Sequence, residues 1–180
     1  SEGKKILNEP NAGGSSIMSE ALSMEILHKF FGAKNVYTEN NIQYYMNCKK
    51  CDFITTINNF IVGVSVTRCI NGSYKYNPDN LDDFIYNLLE RKLIGLKISK
   101  ESTLPRFKFD KTLLFVWSPD NVTTNLINYI YYWCIPQELR ANYLIIVESS
   151  YDNLYQDFPS PITECNIVHV NNKNFTKCFK

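Results

Sequence analysis

The run from Phe60 to Val66 is apolar and β-branched, the pattern of a strand buried on both faces inside a covered sheet. It follows a second apolar run, Phe53 to Ile57, across an Asn58-Asn59 pair. The stretch 51–68 therefore reads as two strands joined by a tight turn. Ser65, Thr67 and Arg68 interrupt its apolar character, and the hairpin brings them to the same end as Asp52. A functional site is expected there.

Composition narrows the remaining choices. A chain of 180 residues can bury one real core, and 44% hydrophobic with 21% charged residues is ordinary for a globular domain. The net charge of +1 means that any nucleic-acid affinity must come from a local basic patch. No apolar run reaches membrane-span length, and no basic-then-apolar segment opens the chain. The expectation is an intracellular protein, nuclear or cytoplasmic, with no membrane partner. Six scattered cysteines do not make a disulfide framework.

Taken in order, residues 1–12 are polar and read as a flexible lead-in, and 13–180 as a single domain. Gly13-Gly14-Ser15-Ser16 leads into helical periodicity from Ile17 to Phe31, with Glu20 in the first turn and Gly32 as the stop. Residues 35–46 read as a strand, or a bent pair broken near Asn40-Asn41. After the hairpin, Asn77-Pro78-Asp79 has the composition of a helix start. Helical spacing then runs from Leu81 to Leu93, with Gly95 near the end, and 97–111 is expected to be a charged loop. Residues 91–111 hold seven Lys or Arg against Glu101 and Asp110, the basic cluster of the chain. Strands follow at 112–117, 143–147 and 166–170, with a helix between the first two started by Ser118-Pro119-Asp120 and stopped by Pro136. The order αβββαβαβ, then a final strand, implies an α/β class with a mixed central sheet flanked by helices.

A helix, a three-strand meander, a helix and a further strand resemble the core of the PD-(D/E)XK, or restriction-endonuclease-like, nuclease superfamily. The segments from Gly13 to Leu27 and from Val62 to Arg68 look like an uncharacterised eukaryotic group assigned to it, whose motif is degenerate. In that superfamily an Asp on the second strand and an acid-x-Lys on the third hold a divalent metal and position the nucleophile. The chemistry needs two carboxylates for the ion, and residues two apart on a strand share a face. Asp52 matches the first acid. The acid-x-Lys falls on Ser65-Val66-Thr67, a departure at both key positions.

Members that draw a glutamate from the first helix imply Glu20 or Glu25 as a second ligand. Members with a lysine on the helix after the third strand imply Lys92. The resemblance thus implies Glu20, Asp52, Ser65, Thr67 and Lys92 as the site, Asp52 and Glu20 as ligands of Mg²⁺ or Mn²⁺, and nucleic acid as substrate. Arg68, Arg91, Lys97 and Lys100 are the cations expected to meet phosphate. The alternative is a catalytically lost binding or scaffold module, with a protein or RNA-processing partner.

Plainer roles compete with these. Ser65 and Thr67 can make internal hydrogen bonds, and Arg91 and Lys92 can serve as helix C-terminal cations. Cys48-Lys49-Lys50-Cys51 has the spacing of half a zinc site, but no second Cys-x-x-Cys or His pair completes it, so zinc is not expected. His28 and His169 have no visible triad companions. Tyr129, Tyr131, Tyr132 and Trp133 could stack bases, although consecutive helical residues point in different directions.

Overall fold

Asn58 and Asn59 take φ of 45° and 70°, the left-handed pair that a two-residue type I′ hairpin requires. Their turn joins Phe53–Ile57 to Phe60–Arg68. The computed structural model describes residues 1–8, 16–69 and 80–148, together with the backbone of 166–170. In chain order the elements are α1 (Glu2–Leu7), α2 (Ile17–Phe31), β1 (Lys34–Thr38), β2 (Phe53–Ile57), β3 (Phe60–Arg68) and α3 (Leu81–Ser102). They continue with β4 (Lys111–Ser118), α4 (Asn121–Trp133), β5 (Tyr143–Glu148) and β6 (Asn166–Val170).

One mixed sheet runs in the spatial order β1-β2-β3-β4-β5-β6. The first three strands form an antiparallel meander, β3, β4 and β5 are parallel, and β6 returns antiparallel to β5. Parallel neighbours need crossovers, and α3 and α4 supply them. Val62, Val64, Val66, Leu113, Phe115 and Trp117 alternate onto one face, packed with Met24 and Leu27 of α2. Leu114, Val116, Leu144 and Ile146 turn to the opposite face, against Ile85 and Leu89 of α3 and Ile127 and Ile130 of α4. The sheet is thus covered on both sides, as strands without alternating polarity demand. On the α2 side the indole nitrogen of Trp117 donates to Ser23 Oγ at 2.9 Å, satisfying a buried polar atom inside the core.

Three expectations change. Residues 1–12 are not wholly a loose lead-in, because Glu2–Leu7 is helical with Gly3 and Ile6 buried. The Gly3 amide donates to Glu25 Oε1 at 2.6 Å, and a Cβ at Gly3 would meet the Ala21 carbonyl oxygen, so α1 sits directly on α2. The helix after the hairpin does not end near Gly95 but runs to Ser102. Gly95 is buried inside the helix, and a Cβ there would meet the Lys49 side chain at 3.4 Å, an ordinary contact. The charged stretch 97–111 is accordingly helical in its first part and not a loop throughout. Beyond β1, residues up to Met46 form turns and one isolated bridge, Tyr44 to Thr103, in place of a second strand. Asp120 caps α4 by accepting the Thr123 amide at 2.7 Å. Gly13 to Ser15 and Asn77-Pro78-Asp79 lie outside the described residues.

Gly63 is where the sheet admits no side chain. A Cβ built there would sit inside 3.0 Å of three ring atoms of the buried Phe109. Gly63→Ala should destabilise the protein by about 1–3 kcal/mol through overpacking, read as a lower urea midpoint. Combining it with Phe109→Leu should recover part of that loss.

Candidate functional site

The sheet forks at the start of β2. Asp52 N–H still donates to Val64 O at 2.9 Å, but β3 continues to Arg68 and beyond this point pairs only with β4. The Val66 amide, on a residue 5% exposed, has no β2 carbonyl to meet. It donates instead to Asp52 Oδ2 at 2.5 Å. A buried amide must be paired, and here a carboxylate does what a strand would otherwise do. Ser65 Oγ donates to the same oxygen at 3.1 Å, and Lys92 Nζ of α3 lies 3.5 Å from it. All three contacts use Oδ2. The Asp52 and Lys92 side chains are 16% and 28% exposed, so the ion pair is partly screened from water.

The loop before Asp52 is held by the last two turns of α3. Cys51 N–H donates to Ser99 Oγ at 3.1 Å, the Tyr44 hydroxyl bonds Ser99 Oγ at 3.1 Å, and Tyr45 N–H donates to Ser102 O at 2.9 Å. Lys92 and Ser99 are two helical turns apart on one stripe. The same helix face therefore presents the cation and anchors the residue next to its carboxylate. Burial pushes the Cys51 thiol up to about 11. That favours the thiol over the thiolate a metal would need.

Glu20, in the first turn of α2, approaches the fork from the opposite layer. Burial, and next the Asp52 carboxylate, raise its pKa to about 7, while a hydrogen bond with the Ser16 side chain and the charge of Lys92 act in the other direction. Glu39 adds to the rise, and its amide donates to Asp52 O at 3.1 Å. Glu39 escaped the sequence reading. Its place follows from the β1–β2 register, Thr38 opposite Phe53, which a shift between Lys34 and Tyr37 hides from simple strand counting.

Against this geometry the comparisons are brief. A Dictyostelium discoideum protein, the "AAC-rich mRNA clone AAC4 protein", is 40% identical over 149 residues, which cover 81% of this chain and 22% of that one. The chain thus spans less than a quarter of the relative's length. No family model and no solved structure matches the chain.

Of the residues singled out from the sequence, Glu20, Asp52, Ser65 and Lys92 come together. Glu25 instead caps α1 through Gly3. Thr67 is buried, 6% exposed, on the α3-facing side of β3 beyond Ser65. Arg68 ends β3 opposite Trp117 of β4. Arg91 is exposed, about 100° around α3 from Lys92. Lys97 and Lys100 line a separate cleft. Among the described residues, no group of three or more His, Cys, Asp or Glu is placed to hold a metal ion. Cys165 and Cys178 lie outside the described residues, as does the His169 side chain. Among the described residues no helix is long and apolar enough to cross a membrane.

Glu20 reports the layout of the site through its proton. Its folded pKa lies above the unfolded value of 4.5, so the folded state binds more protons between pH 4.5 and about 7. Stability should fall as pH rises through that window. Glu20→Gln should flatten this part of a urea-midpoint profile. By carbon-detected NMR titration, Asp52→Asn should lower the Glu20 pKa and Lys92→Met should raise it; no movement in either would sink the assigned proximity.

Proposed function

We propose that the chain is a nuclease-like domain of the restriction-endonuclease type, acting on the phosphodiester backbone of a nucleic acid with a divalent metal. One observation carries this reading: Lys92 of α3 stands 3.5 Å from Asp52 at the sheet fork, with Glu20 close enough to feel Asp52's charge. The lysine that β3 lacks at Thr67 is thereby supplied from the next helix.

The donor set fits a cation of limited demands. Mg²⁺ binds through one or two carboxylates and completes its shell with water and substrate phosphate, so Asp52 and Glu20 suffice where three protein ligands are not assembled. Oδ1 of Asp52 carries none of the three contacts made by Oδ2 and is the oxygen left to face an ion. Mg²⁺ or Mn²⁺ held there would supply Lewis acidity toward the phosphate and the attacking water.

The remaining roles belong to the chain. Ser65 and the Val66 amide fix the orientation of the Asp52 carboxylate, as preorganisation requires. Lys92 offers an ammonium to a phosphate oxygen next to that carboxylate. Glu20, poised near neutrality, can hold or give up a proton at its carboxyl group. Arg68 and Arg91 are cations for flanking phosphates.

A second reading keeps the site and removes the chemistry. Ser65, where an acid would be expected, and the three contacts on Asp52 Oδ2 favour a nuclease-fold module that binds nucleic acid, or a protein partner, without cutting.

With Mg²⁺ or Mn²⁺ and a mixed panel of DNA and RNA, the wild-type chain should cleave. Asp52→Ala should abolish the activity, and Lys92→Ala should reduce it about 100-fold. Cleavage that survives Asp52→Ala eliminates the assignment. Absence of cleavage, with nucleic-acid binding unchanged in Asp52→Ala, supports the second reading.

A further inference from the structure

A cleft of about 550 Å³ opens between the C-terminal half of α3, the beginnings of β4 and β5, and the short 3-10 turn at Gln137–Leu139. None of Glu20, Asp52, Ser65 or Lys92 lines it. Its walls carry Lys97, Lys100, Lys108 and Arg140 against Glu101 and Glu138, an excess of two positive charges. Among the described residues none of the six is in a salt bridge, so these charges are not neutralised by one another.

Arg140 has a fixed position. Its Nε and Nη2 donate to Ile135 O, just beyond α4, at 3.0 and 2.9 Å, and Nη2 donates also to Tyr132 O in the last turn of α4 at 2.6 Å. These bonds neutralise no charge; they take the Nε proton and both Nη2 protons, and the guanidinium lies 5.8 Å from the Tyr132 ring centroid, so a positioned cation with its Nη1 donors remains for an anion. Lys100 Nζ is steadied by a bond to Asp110 O at 2.9 Å and keeps two further protons for donation. Lys97 and Lys108 are exposed. Asn142 Oδ1 accepts both the Thr112 amide, at 2.9 Å, and its hydroxyl, at 3.1 Å, while the amide nitrogen stands outside that pair as a donor. Leu93, Leu96, Leu139 and Ala141 give the cleft apolar lining.

We propose that this cleft binds a small phosphorylated molecule with an apolar or aromatic body, of nucleoside-monophosphate size. Its volume falls in the range of small-ligand pockets, about 300–1,000 Å³. The charge excess matches a phosphate dianion, and guanidinium with ammonium donors is the chemistry that holds one. The apolar lining gives the rest of the molecule a surface to cover. The inference is independent of the chemistry assigned to Asp52.

Isothermal titration of the full chain with adenosine 5′-monophosphate, adenosine and inorganic phosphate tests it. The monophosphate should bind with Kd below about 1 mM and more tightly than either fragment, and Lys97→Glu with Lys108→Glu should weaken it by about tenfold or more. Both lysines are exposed, so thermal unfolding should be unchanged in that double variant. Asp52→Ala should leave this binding intact even where it abolishes cleavage, which separates the two sites. No heat of binding at about 10 mM monophosphate overturns the proposal. So does adenosine binding as tightly as its monophosphate, or an affinity unmoved by the charge reversals. A 5′-phosphorylated oligonucleotide that outcompetes the monophosphate at the cleft would assign it to a nucleic-acid strand instead and overturn the small-ligand reading.

Discussion

The Val66 amide lies in the sheet where its neighbouring strand has ended, and Asp52 Oδ2 completes the ladder. An unpaired N–H there would cost about 1–3 kcal/mol, so the fork cannot be left open. A neutral amide acceptor could meet the same need. A carboxylate does more, because it places a negative charge at the fork of a largely apolar sheet. That charge attracts Lys92 and adds to burial in raising the pKa of Glu20. The strand order, the lysine and the perturbed glutamate thus meet at one backbone group without a strand partner.

Much of the scaffold was legible before the structure. The doubly apolar runs at 60–66 and 112–117 demanded two covered faces, and the α/β class with a mixed sheet follows from them. The helix over 17–31 ran to its Gly32 stop, which takes a left-handed φ of 66°. Two features were misjudged for physical reasons. The polar segment at the start of the chain conceals a short helix, Glu2–Leu7, whose buried residues are a glycine small enough to touch α2 and one isoleucine. Gly95 resembles a helix terminator, yet α3 runs through it to Ser102, with Lys49 of the preceding loop packed beside it. Local propensity cannot register a loop arriving from a distant part of the chain.

The candidate site divides in the same way. Asp52 and Ser65 could be named because the hairpin brings them to one end, whereas Glu20 and Lys92 were named only as what the resemblance to the nuclease superfamily implies. Glu39 could not, since its position depends on a register shift in β1. Nor could the separation of Lys97 and Lys100 from Lys92. Reading 97–111 as a loop merged these residues into one basic cluster, whereas the helical period of α3 directs them into a different cleft.

The run of α3 past Gly95 makes the helix a shared datum for both halves of the ion pair. Lys92 is part of it, and Asp52 follows directly on Cys51, which is tied to it at Ser99. Asp52 is held at the same time to the sheet, by its amide on Val64 O and by Oδ2 on the Val66 amide. The residue pair Cys51-Asp52 is therefore a clamp between helix and sheet, and a shift of α3 against β3 would have to stretch the Lys92 contact, the Cys51–Ser99 bond, or both.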